Sequence, residues 1–250
     1  MKATTTQAQA ALQEHCTREA LRIWRVYAHQ HPGAPGMALM PLLLDHYHIG
    51  TDILFVGMNP SFSQGAVRRI WANAEHGIVE GVNPFEWDAE LDDDMLMRRV
   101  QDILQFEKTA RAEYAPYFRP LQEFAGEAGA RSHGHIDMFV VRHTTQADVH
   151  AAYGKRFAEL IPIATAQFQL FQHTLKAMAP KTVVIVNAGA SHLAREGLGL
   201  KTEDRGRTYF WEQLPGTPFF LSSMLSGQRA LDVFSRDRLT ADVRQALAHT

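Results

Sequence analysis

Short apolar runs, each closed by turn formers and followed by a longer helical stretch, recur along this chain. The first is DILFVGMNPS, Asp52 to Ser61. Its four apolar residues between a polar lead-in and a Gly/Asn/Pro turn describe a strand buried on both faces. IDMFVV, Ile136 to Val141, reads as a second strand and TVVIVN, Thr182 to Asn187, as a third. TYFWEQL and TPFFLSS, split by Pro215-Gly216, read as a hairpin-like pair whose second member is the last core strand. Helical patterns fall at 6–30, closed by the breaker cluster HPGAPG at 31–36, and at 95–108 and 116–128. A long helix spans 156–178 despite Pro162 near its start, with Pro180 punctuating its end. AGASHLARE opens a shorter helix, and a last one runs from about Gln228 to Ala248. Residues 62–94 carry little periodicity, and a long irregular segment in a compact domain is usually functional or mobile.

Strands that alternate with helices predict a three-layer α/β/α fold around a central, mostly parallel four-stranded sheet of segments 53–57, 136–141, 182–187 and 218–222. No repeat, linker or low-complexity tract divides the chain, so residues 1–250 read as one domain with 1–49 as an N-terminal helical extension. In sheets of this class ligands bind beyond the carboxyl ends of the strands. That directs attention to the residues after Val56, Val141, Asn187 and Leu221.

Composition narrows the setting. At 46% hydrophobic and 21% charged, the chain matches an ordinary globular protein. No apolar run approaches the roughly 20 residues of a membrane helix. MKATTTQAQA lacks the basic and apolar regions of a signal peptide, so a cytoplasmic location is the expectation. The single cysteine, Cys16, excludes an intramolecular disulfide, a thiolate metal cage and a cysteine-held iron–sulfur cluster. The net charge of −2 is unevenly spread: residues 151–250 hold 12 Lys/Arg against 8 Asp/Glu, and EWDAELDDDM at 86–95 concentrates acid. A nucleic-acid face would use the later half; scattered solvated charge is the other reading of the same counts.

At the first strand end, Gly57 permits a sharp turn, Pro60 fixes φ, and Ser61 and Ser63 offer hydroxyls to an anion. At the last, SSMLSGQR, Ser222 to Arg229, places two serines and a glycine at a strand-to-helix junction suited to a phosphate. Leu225 there either projects from the loop or tucks into the core, and Ser226 either binds phosphate or caps the helix. His46-x-His48 and His133-x-His135, with Asp45 and Asp137 nearby, each set two imidazoles on one side of an extended chain. A zinc site needs third and fourth ligands, so these read as surface histidines and no metal or other cofactor is expected. Neither a G-x-S-x-G elbow nor a P-loop occurs. Tyr209-Phe210-Trp211 reads as strand packing.

Taken together, these segments resemble the uracil-DNA glycosylase superfamily. ILFVGMNPSFS looks like its first motif, in the G-x-N-P form of the mismatch-specific and thymine-DNA glycosylase branch. MLSGQR is similar to the second motif, whose Leu-Ser pair carries the intercalating leucine, and VVRHTTQADV, Val140 to Val149, looks like the segment after that branch's second strand. The resemblance spans about 50–247. It departs at Leu221-Ser222-Ser223, where active relatives carry His or Asn before Pro-Ser, and in the insert at 66–130.

The resemblance implies excision of uracil or a related deaminated base from DNA by base flipping and N-glycosidic bond hydrolysis, as in base excision repair. Flipping requires phosphate-pinching hydroxyls, a wedge, an aromatic platform and a group that places water. Ser61, Ser63, Ser223 and Ser226 would pinch phosphates, Leu225 would be the wedge and Arg229 a backbone contact. Trp71 or Phe62 would stack on the base, with Gly57 and Met58 beside it, and Asn59 would orient the attacking water. An amide is no general base at neutral pH, so such an enzyme depends on positioning and on a good leaving group. Arg142, His143 and Thr145 lie where the base edge would be read; Arg142 is equally suited to a structural ion pair. The implied partner is DNA, with no membrane and no obligate protein partner. The alternative is a catalytically degenerate or repurposed member that keeps the fold and binds nucleic acid or a free base without excision.

Overall fold

The structure is a computed structural model that describes residues 2–30, 42–44, 47–60, 92, 94–97, 99–101, 104, 107–108, 115–143, 145–202, 206–225, 227 and 230–249. Within these it is an α/β fold whose mixed six-stranded sheet carries helices on both faces.

Helix α1 (Lys2–Gln30) leads into β1 (Ile53–Gly57), α2 (Ala115–Glu127) and β2 (His133–Asp137). Next come α3 (Gln146–Tyr153), a single 3-10 turn at Phe157–Glu159, α4 (Pro162–Met178), β3 (Thr182–Val186) and α5 (Ala188–Gly197). β4 (Lys201–Thr202), β5 (Thr208–Phe210), β6 (Pro218–Ser222) and α6 (Val233–Ala248) complete it. The strand order is β2-β1-β3-β6-β5-β4. β2, β1, β3 and β6 pair in parallel, whereas β5 and β4 extend the sheet antiparallel beyond β6. The sheet is therefore larger and more mixed than the expected four strands, because the hairpin strands join it at one edge.

Alternation along the central strands divides the core. Leu54, Val56, Val183, Ile185 and Phe219 face α1, α4 and α5, whereas Ile53, Phe55, Val184, Val186 and Phe220 face α2 and α6. α1 is no appendage: Leu12, Cys16, Ala20, Ile23, Trp24 and Tyr27 recur at helical spacing and are buried in the main core. Cys16 Sγ meets Thr174 Oγ1 of α4 at 3.4 Å.

Three expected boundaries shift. The second strand is His133–Asp137 and not 136–141, since the ladder to β1 ends at the Gly57–Asp137 pair. The apolar run beyond it is buried without a ladder. Met138 and Phe139 donate to the carbonyls of Gly57 and Met58, and Val140 and Val141 donate to Oε1 of the fully buried Gln167 at 2.9 and 3.0 Å. Pro162 does not interrupt the long helix but opens it at the first turn, where its missing N–H costs nothing. The last helix begins at Val233, capped by Asp232, and not near Gln228. The described residues between 94 and 108 are helical, as expected. No helix among the described residues is long and apolar enough to cross a membrane.

Candidate functional site

The carboxyl end of β1 meets that of β2. Gly57 pairs with Asp137, and a Cβ added to Gly57 would collide with Asp137 Oδ1 and come within 3.2 Å of His135 Nε2. Glycine is needed here for close approach and not for backbone conformation. Two residues on, the Asn59 amide nitrogen donates to the carbonyls of Pro60 at 3.0 Å and His143 at 3.1 Å. The reverse orientation would set the amide oxygen against two carbonyl oxygens, so Oδ1 is left as the acceptor turned away from them. The amide of His143 donates back to Pro60 at 3.4 Å, which closes the link between the two strand-end loops.

The neighbouring residues serve the scaffold. Met58 is buried in the main core. Arg142 is 6% exposed and forms an ion pair with Glu107; burial pushes its guanidinium down to about 10, still protonated at neutral pH. This placement favours the ion-pair role over reading of a base edge, because the guanidinium is sequestered from solvent. His143 is half-buried, its ring edge-on to Tyr153 at 4.9 Å. Thr145 caps α3: its hydroxyl accepts from the Asp148 amide at 3.2 Å, while its own amide donates to Asp148 Oδ2 at 2.8 Å.

At the end of β6, Ser222 is tied to α5. Ser191 Oγ donates to its carbonyl at 2.9 Å and accepts from its amide at 3.2 Å. Ser223 is half-buried beside a groove of about 520 Å³ that passes over the sheet end between α5 and α6. Leu225 is 8% exposed and packs with Phe220, Val186 and Val243 in the core beneath α6. That is the core placement left open for it, and it leaves the expected wedge little exposed surface. Ser61, Phe62, Ser63, Trp71, Ser226 and Arg229 lie outside the described residues.

The structure thus joins Gly57, Asn59 and the backbone of His143 at one strand end, and packs Leu225 with Phe220, Val186 and Val243 beyond another. Sequence reasoning considered Asp137 only as a metal ligand. The alternation in HGHID was the available signal: His133, His135 and Asp137 share the face toward α2, where Phe118 packs edge-on to His135 at 5.4 Å. Burial first, and the Asp137 charge second, push the Tyr117 hydroxyl on α2 well above the usual phenol range. Among the described residues no group of three or more His, Cys, Asp or Glu side chains is placed to hold a metal.

No protein-family model matches the chain, and no curated protein matches it.

Proposed function

We propose that the chain is a uracil-DNA glycosylase-type hydrolase that releases uracil or a related deaminated base from DNA, as in base excision repair. The observation that carries this is the fixed Asn59 amide: two backbone carbonyls hold its nitrogen, so its oxygen is a preset acceptor at the end of a central parallel strand. The parallel block β2-β1-β3-β6 and the motif residues at its strand ends support the same reading.

In the hydrolysis, a water oxygen bonds to the sugar C1′ and the C1′–N bond breaks. The base leaves with the electron pair and is protonated from solvent. Asn59 Oδ1 would accept a hydrogen bond from that water and orient it. It cannot remove the proton, which passes to solvent.

A second reading, a repurposed member that binds nucleic acid or a base without excision, is favoured by the burial of Leu225 and by Leu221 where active relatives carry a polar residue. The test is incubation with labelled oligonucleotides carrying uracil in a single strand, opposite guanine and opposite adenine, followed by cleavage at abasic sites. Strand scission on any of them supports the hydrolase. Intact product on all of them, with retained binding, supports the second reading.

A further inference from the structure

The groove at the end of β6 carries charged groups that the hydrolysis at Asn59 does not use. It lies where the sheet ends between α5 on one face and α6 on the other, and three arginines from three elements converge on it. Arg195 comes from α5, Arg207 from the bend just before β5 and Arg238 from α6. Asp242 is the one carboxylate among the described lining residues, and it meets Arg207 at 3.4 Å. The Arg195 guanidinium sits 6.0 Å above the Tyr209 ring, a contact that uses the face of the cation and leaves its in-plane N–H groups as donors. Ser222 lines the groove, although its Oγ is buried. Between these polar groups the floor is apolar, built from Phe220, Leu221 and Leu239. The volume of about 520 Å³ is that of a small-molecule site and far exceeds what a bare anion needs.

We infer that this groove binds the phosphate ester of a nucleotide, with the arginines holding the phosphate and the apolar floor and Tyr209 receiving the attached nucleoside. A surplus of cations over carboxylates selects an anion, and guanidinium groups match phosphate oxygens in pairs. An apolar floor beside the charges distinguishes a nucleotide from inorganic phosphate. The phosphate ester can belong to a free nucleotide or to one unit of a single strand.

The test uses the whole chain and calorimetric titration with thymidine 5′-monophosphate, thymidine, inorganic phosphate and a short oligothymidylate. The phosphorylated nucleotide or the oligonucleotide should bind, and thymidine should not. Binding of the mononucleotide assigns a free ligand; binding of the oligonucleotide alone assigns a strand. Arg195→Gln combined with Arg238→Gln, both on the exposed surface, should weaken binding at least about tenfold with an unchanged melting temperature. For the oligonucleotide, each lost phosphate contact should lower the salt slope by about 0.7. Thymidine 5′-monophosphate binding that the double variant loses stands whether or not the chain releases uracil, which separates failure of the groove from failure of the hydrolase. No binding of either phosphorylated probe, or equal binding by the double variant, overturns the inference.

Discussion

Asp137 stands opposite Gly57 in the β1–β2 ladder, and its Oδ1 fills the space a side chain on Gly57 would need. Gly57→Ala should therefore destabilise the fold by about 1–3 kcal/mol, the usual range for overpacking. Asp137→Ala should relieve that penalty in the double variant. A double-mutant cycle by chemical denaturation checks it; additive effects would contradict the contact.

Asn59→Ala should cut uracil release by about two orders of magnitude while DNA binding changes little. Asn59→Asp should do no better, because its carboxylate would face the carbonyls of Pro60 and His143 that now accept from the amide. Single-turnover rates and filter binding on both variants check this. Full activity in Asn59→Asp would remove the amide orientation from the mechanism.

Leu225→Ala should lower stability by about 2–4 kcal/mol, as expected for emptying a packed core site. The resemblance alone implied a different outcome, in which capture of a flipped base in duplex DNA weakens and single strands are spared. Thermal melts beside excision assays on both substrates separate the two.

Gln167→Leu should cost about 2–4 kcal/mol, because the amides of Val140 and Val141 would be left buried without an acceptor. The stretch it supports leads directly to His143, so excision should fall with stability. Unfolding curves and excision rates on one preparation check the link.

Asp52 supplies a pH signature. The hydrogen bond from Lys181 Nζ at 2.9 Å, and after it the Arg131 amide at 2.7 Å, hold its carboxyl below the usual range. A lowered native value means that the stabilisation is fully present above the unfolded value of about 3.9 and is lost as pH falls through the native one. The melting-temperature gap between wild type and Asp52→Asn should thus be widest near neutrality and narrow below about pH 4. A constant gap down to pH 2 would contradict it.

The central strands were legible because burial on both faces writes an unbroken apolar run, as in Leu54-Phe55-Val56 and Val183-Val184-Ile185. β2 was misplaced because it ends the strand order and alternates in burial, while the more conspicuous run after it is satisfied by a side chain, Gln167. No local pattern announces an acceptor that arrives from 27 residues further along the chain. α3 went unread because its signal is a capping box at Thr145 and Asp148 and not an apolar stripe. Asn59 was legible from its turn. The carboxylate beside Gly57 depends on the register between strands whose ends lie 80 residues apart, and the three arginines of the groove depend on how α5, α6 and the residue before β5 come together.

The packing of α1 against α4 has a consequence for synthesis. The apolar stripe from Leu12 to Tyr27 leaves the ribosome before its partner Phe168–Leu175 exists. At about 5–20 residues per second the delay is roughly 7–30 s, long enough for a chaperone to engage the exposed helix. Permuting the chain so that α1 follows α6 would remove that wait. The permuted protein should need less chaperone to accumulate in soluble form.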